Sequence, residues 1–152
     1  MADEEGLSGS LLLCDFAEAL NGKLYVMGGG WTRLTLAVPP GQEPKADMSL
    51  GVTVEVPWNR TNESLRLKLR LVTEDGKPCL DADNKPVSVD GEFEVGRPPG
   101  IRRGIPQIIV LAVRVTDVIL VAGGYTWILE VGTNELARSP FEVAIGGMPS
   151  ED

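Results

Sequence analysis

The feature that most constrains the fold is a strict alternation of apolar and polar residues in the middle of the chain. From Ser64 to Leu71 every second residue is a leucine, and the residues between them are serine, arginine or lysine. Because successive side chains of a β-strand point to opposite faces, this pattern predicts a strand at Ser64–Thr73 with one face in a hydrophobic core and the other in water. The valines of Leu50–Val56 alternate with polar residues in the same way and predict a second such strand.

The start of the chain predicts a β-hairpin. Asn21-Gly22 is a strong hairpin signal because both residues tolerate a positive φ, and it would join strands at Leu11–Ala17 and Lys23–Gly28. A competing interpretation makes Asp15 the N-cap of a short helix that Gly22 closes. We favour the hairpin because such a helix would span less than about two turns.

Further strands are predicted at short, regular intervals. Gly28-Gly29-Gly30 predicts a bulge or bend, after which the strand resumes at Trp31–Leu36. The other predicted strands are Val87–Val95, Ile108–Val115, Tyr125–Val131 and Phe141–Ile145, with a short piece at Leu136–Arg138 and long loops at Val38–Met48 and Gly96–Pro106. Eight or nine short strands with almost no helical pattern predict an antiparallel β-sandwich.

Ile108–Val115 is the most apolar segment, and Arg114 is its one charged residue. Such a segment is typical of a central strand covered on both faces, or of a strand whose outer face is meant for a partner. The second interpretation makes Ile109 and Leu111 candidate partner-binding residues.

The length and charge distribution of the chain predict its domain organisation. The chain has 152 residues, which predicts one domain, placed at residues 10–146. The net charge is −8, and the two ends, residues 1–9 and 147–152, hold acidic residues but no lysine or arginine. We expect both ends to be disordered acidic tails. The remainder has no extended basic stretch, which argues against nucleic acid as a partner.

Cysteine usage and the N-terminal segment indicate the compartment. Cys14 and Cys79 fit no zinc or redox spacing, so we expect free, buried thiols, with a disulfide between two strands as the alternative. Leu11–Leu13 before Cys14 resembles a lipoprotein cleavage site, but the run is short and residues 3–5 are acidic where an export signal is basic. Because no apolar stretch has transmembrane length, we expect a cytoplasmic protein that does not enter a membrane.

The residue types argue against an enzyme. The chain contains no histidine, which removes the commonest general base and the commonest metal ligand. Asp81, Asp83 and Glu92 have the spacing of three calcium ligands, but Lys85 and Pro86 occupy positions that need an oxygen ligand and a glycine. Ordinary turn carboxylates explain these residues better. We therefore predict no catalytic residue, no metal site and no cofactor.

Two surface features are candidate binding sites for a partner protein. Arg97, Arg102 and Arg103 fall in a proline-stiffened loop and would form a positive spot on an acidic body. Trp58 follows a proline in another predicted loop, where its ring would insert into a partner or stack on a sugar. A solvated loop and a tryptophan that caps the core are the ordinary explanations of the two features.

The end of the chain resembles immunoglobulin-like domains. Residues 123–131, Gly-Gly-Tyr-Thr-Trp-Ile-Leu-Glu-Val, are similar to a late strand of such domains, in which a Gly-x-Tyr-x-aromatic pattern places the tyrosine at a corner. The resemblance implies that the hydroxyl of Tyr125 bonds back to the main chain, and residues 135–143 resemble the closing strand. The fold class predicted is therefore an all-β, immunoglobulin-like antiparallel β-sandwich of eight or nine strands.

The beginning and middle of the chain resemble a family of small uncharacterised bacterial and phage proteins. The similar segments are Leu12–Ala17, Asn21–Gly29 and Gly91–Gly100, which include an apolar-Cys-Asp-aromatic strand and a Gly-Lys-Leu hairpin. The resemblance implies a compact all-β protein without a secretion signal. It implies no ligand-binding or catalytic residue.

Together these observations predict a non-catalytic structural or protein-docking module, and a homo-oligomer is a further expectation. Its concrete form, suggested by the phage members of the resembling family, is a virion accessory protein that decorates or cements a capsid, in which case it would be located in the virion. The alternative is a carbohydrate or small-ligand binding module with Trp58 and Trp31 as stacking platforms.

Overall fold

The computed structural model describes residues 6–97, 99–100 and 102–147, and this part of the chain is all-β. Its nine strands are β1 Ser8–Leu20, β2 Lys23–Gly29, β3 Arg33–Val38, β4 Lys45–Val56, β5 Ser64–Thr73, β6 Ser88–Glu94, β7 Gln107–Ile119, β8 Gly123–Val131 and β9 Asn134–Gly147. A short 3-10 turn at Trp58–Arg60 links β4 to β5. The predicted strand content and number of strands are confirmed.

The strands form two sheets that pack face to face. One sheet has the order β2-β1-β4-β7 and the other the order β3-β9-β8-β5-β6. Val52, Val54 and Val56 of β4 point inward as predicted, and each is 0% exposed. Trp127 of β8 is equally buried, and its Nε1–H donates to the sulfur of Met48 across the interior at 3.2 Å. The predicted β-sandwich is confirmed.

The N-terminal hairpin is confirmed, and the half of it nearest the turn folds back over the outer face of the first sheet. Asn21 and Gly22 have φ of 52° and 74°, as the turn between β1 and β2 requires. A Cβ placed on Gly51 of β4 would lie 3.1 Å from Leu24 and 3.6 Å from Val26, so both side chains of β2 cover the outer face of the sheet at this glycine. β2 also contacts β7, although two strands, β1 and β4, lie between them in the sheet order. The competing short helix is therefore wrong.

One strand pair departs from the antiparallel expectation. β3 pairs with β9 in parallel, from Arg33 opposite Glu142 to Val38 opposite Gly147. The strand predicted to resume after the three glycines does not continue in the first sheet, because the chain crosses there to the second sheet. The glycines at 28 to 30 thus mark a change of sheet rather than a bulge within one strand.

Several observed strand boundaries differ from the predicted ones. β1 begins at Ser8 and Leu7 is buried, so ordered structure starts before the predicted boundary at residue 10. β4 begins at Lys45, which shortens the predicted loop at Val38–Met48. β9 is one continuous strand rather than a short piece and a strand. The predicted tails lie largely outside the described residues, which exclude 1–5 and 148–152.

The two details expected at the end of the chain and at the cysteines are present. The hydroxyl of Tyr125 donates to the carbonyl oxygen of Val121 at 2.9 Å, and its ring stacks on Phe141 at 5.7 Å between centroids. This is the bond that the immunoglobulin resemblance implies, although the immunoglobulin-like topology as a whole stays a prediction. Cys14 and Cys79 are both buried and free, so the alternative disulfide is absent.

Candidate protein-docking face

Three segments meet at one end of the sandwich. Val56, the last residue of β4, pairs with Gln107, the first residue of β7, so the turn after β4 lies beside the loop that precedes β7. The N–H of Asn62 donates to the carbonyl of Val95 at 2.7 Å, which joins the same turn to the end of β6. The sheet register therefore brings the Trp58 turn and the loop after residue 96 together.

Arg97 and Trp58, which the sequence suggested as separate features, form one unit. The guanidinium carbon of Arg97 lies 4.1 Å from the centroid of the Trp58 ring, within the range of a cation–π interaction. Arg97 also donates from Nε to Thr61 Oγ1 at 2.5 Å and from Nη2 to the carbonyl of Trp58 at 3.1 Å. The stack and both bonds fix the orientation of the arginine and cover one face of the indole.

The positive charge of this loop is not neutralised within the part of the chain that the structure describes. Arg102 and Arg103 are exposed and form no ion pair there, and the acceptors of Arg97 are uncharged. Five arginines elsewhere do have carboxylate partners. These pairs are Arg60–Glu63, Arg66–Glu92, Arg70–Glu130, Arg114–Asp47 and Arg138–Glu135. We call Arg97, Arg102, Arg103 and Trp58 the arginine rim.

The structure turns the other two predicted partner-binding residues toward the core. Ile109 and Leu111 pair with inward-facing residues of β4 and pack, half-buried, against the core. The exposed apolar side chains of this region are instead Ile108, 63% exposed on the outer face, and Ile105 in the preceding loop, 45% exposed. The alternation of side chains in the strand was the signal that would have distinguished Ile108 from its neighbour.

The strand itself is at an edge, so its interpretation as a central strand is wrong. β7 pairs with β4 alone among the strands of the described chain. Its apolar composition therefore does not come from burial between two neighbouring strands.

Both tryptophans proposed as stacking platforms contact other side chains of the protein. Trp58 carries Arg97 on its ring, and Trp31 packs edge-to-face on Phe141 with 5.7 Å between ring centroids. The Nε1–H of Trp31 is buried and has no acceptor among the described residues. These contacts are typical of tryptophans that close the ends and edges of a core.

Two of the three carboxylates with calcium-ligand spacing, Asp81 and Glu92, have contacts within the protein, and so does Glu74. Oδ1 of Asp81 accepts the backbone N–H groups of Asp83 and Lys85 at 2.8 and 3.0 Å, which stabilises the turn between β5 and β6. Glu92 faces Arg66 across the β5–β6 pair, with 3.6 Å between Oε1 and Nε. A surface groove of about 460 Å³ holds Glu74 on its wall, but that side chain accepts the N–H of Gly124 at 2.7 Å.

The buried thiols are held in their protonated form. Burial raises the pKa of Cys14 above its ordinary value, and the negative charge of the adjacent Asp15 raises it further. Burial also raises the pKa of Cys79. Because the thiolate is the nucleophilic form, neither cysteine has the environment of a reactive one.

The fold and this face define an all-β sandwich with a basic, partly apolar surface at one end. The chain belongs to a family of unknown function (DUF6941), whose model matches residues 9–144. The predicted membership of an uncharacterised family is thereby confirmed. Comparisons with curated proteins and with solved structures find no match. In the described residues no helix is long and apolar enough to cross a membrane.

Proposed function

We propose that this protein is a non-catalytic docking module that binds an acidic surface of a partner protein through the arginine rim. The observation that carries the proposal is the exposure of Arg102 and Arg103 without an ion-pair partner in the described chain, in the same loop as Arg97, which stacks on Trp58. A cluster of unpaired positive charge on a chain of net charge −8 attracts acidic surfaces and orients the encounter.

The surroundings of the rim support a protein partner rather than a free anion. Ile105 and Ile108 place exposed apolar surface next to the arginines. Protein interfaces combine an apolar centre, rich in aromatic residues and arginine, with a polar periphery. The fixed orientation of Arg97 and Trp58 also reduces the entropy lost when a partner binds.

The narrower form of the proposal is attachment to an assembled shell, as a capsid-decorating protein does. A stiff β-sandwich with a protein-binding surface at one end suits that role. The sole support for this narrower form is the phage part of the family resemblance. The arginine rim itself requires only an acidic protein surface.

A charge-reversal pair tests the function. Full-length protein is immobilised, proteins of the host lysate are captured and identified, and the partner is then purified and titrated against each variant. We expect R102E/R103E to weaken binding at least about tenfold, and the wild-type affinity to fall as salt rises, because exposed charges are screened.

The matched control is K77E/K85E, which makes the same change in net charge in the turns at the opposite end of β5. It should bind like the wild type. Equal binding by R102E/R103E and K77E/K85E would overturn the proposal, and so would a wild-type affinity that does not depend on salt.

A further inference from the structure

β7 has an edge that no strand of the described chain covers. It pairs with β4 along one side, and the hairpin strands β1 and β2 contact it without pairing with it. β2 does so from the outer face, where Leu24 and Val26 cover Gly51, the β4 partner of Ala112. An uncovered edge presents main-chain N–H and C=O groups that pair readily with another strand. What such an edge does therefore depends on how the sequence protects it.

The sequence of β7 does not protect this edge. Residues 107–113, Gln-Ile-Ile-Val-Leu-Ala-Val, contain no charge, proline or glycine. The contrasting edge strand is β6, whose outward positions are Asp90, Glu92 and Glu94, all exposed. Charges of that kind prevent unwanted strand addition. The corresponding outward positions of β7 are Ile108, which is exposed, and Val110 and Ala112, which are half-buried.

We propose that two copies of this chain pair antiparallel through these β7 edges, about a two-fold axis at Val110. The proposal concerns a different surface from the arginine rim and does not depend on it. In antiparallel pairing, opposite residues share a face, so the register must match outward with outward positions. With Val110 opposite its own copy, Ile108 lies opposite Ala112 and Ile109 opposite Leu111.

This register follows from the limits of the uncharged segment. Gln107 then pairs with Val113, so all seven residues of the uncharged segment lie within the ladder. Pro106, which has no N–H, ends the ladder before Arg114 enters it. Centring the pair on Leu111 would instead place Arg114 opposite Ile108, with less apolar pairing.

A second copy is the occupant that the chemistry favours. It supplies a strand of equal length, without charge and rich in β-branched residues, which suits pairing on a pleated surface. A two-fold pair also uses both β7 edges and so closes, giving a dimer rather than a filament. The half-buried Ile109 and Leu111 would then gain cover from their counterparts, which is the partner contact predicted for them from the sequence.

The first test is the molar mass of the full-length protein in solution, measured by sedimentation without any other partner. We expect a dimer for the wild type and for V110T. V110K, whose lysines would face each other at the axis, should dimerise at least about tenfold more weakly. Mixing V110K with V110E should restore the dimer as a heterodimer. Because Val110 lies on the outer face of the sheet and is only half-buried, each variant should keep the wild-type circular dichroism.

The second test fixes the register by mild oxidation of variants that each add one cysteine to the buried Cys14 and Cys79. V110C should form a covalent dimer, because opposite Cα atoms of paired strands lie about 5 Å apart. I108C should not, since the two copies of residue 108 would be about 14 Å apart. A monomeric wild type, a dimer unaffected by V110K, or equal cross-linking by both variants would overturn the proposal. Lysate capture by a monomer at the rim would leave the docking function standing and the dimer refuted.

Discussion

At the scale of single residues, the hydrogen bond of Tyr125 is the contact that the sequence resemblance identified most specifically. The tyrosine is 7% exposed, its ring stacks on Phe141, and its hydroxyl donates to Val121. The bond ties the start of β8 to the segment that leads into it. The resemblance to immunoglobulin-like domains implied this bond, which joins residues only four positions apart in the chain.

We expect Tyr125→Phe to lower the free energy of unfolding by about 1 kcal/mol, since it removes a buried side chain's hydrogen bond and keeps the ring stack. Urea unfolding measures the change. The matched control is Tyr25→Phe, because Tyr25 is 52% exposed and its change should fall within about 0.5 kcal/mol of the wild type. Equal stability of the two variants would show that the corner bond contributes nothing.

At the scale of elements, the position of each strand in the chain was easier to predict than the strands with which it pairs. The alternation in β5 predicted Ser64–Thr73 with the same limits that the structure has. In a half-buried strand apolar residues face the core and polar residues face water, so the two faces are visible as an alternation in the sequence. The change of sheet at the three glycines and the parallel partner of β3 were missed. They depend on contacts with β9, more than a hundred residues further along the chain, which no local pattern encodes.

The packing of the hairpin over the first sheet gives a prediction at this scale. Gly51→Val should lower the free energy of unfolding by about 1–3 kcal/mol, because the new side chain must displace Leu24 and Val26. Hydrogen exchange should also become faster in β2. Gly91→Val is the control, since a Cβ there meets no atom within 4 Å. If both variants unfold alike, the hairpin does not lie against Gly51.

At the scale of the whole molecule, the sequence predicted the residues of the candidate site better than their arrangement. Arg97, Arg102, Arg103 and Trp58 were identified as surface features because charge and loop position are visible in the chain. Their meeting at one end follows from the pairing of Val56 with Gln107, which is a property of the sheet. The same pairing turns Ile109 inward and Ile108 outward, so the exposed apolar residue of this strand is Ile108, while Ile109 and Leu111 pack half-buried against the core.

The central claim is that the protein acts through a docking face at the end of the sandwich that carries the arginine rim. Hydrogen–deuterium exchange of the full chain, alone and in complex with the captured partner, tests it most directly. The account predicts that binding slows exchange in the Trp58 turn and in the segment from Arg97 to Ile108. Protection confined to the opposite end, at residues 74–86, or absent from the rim would contradict it.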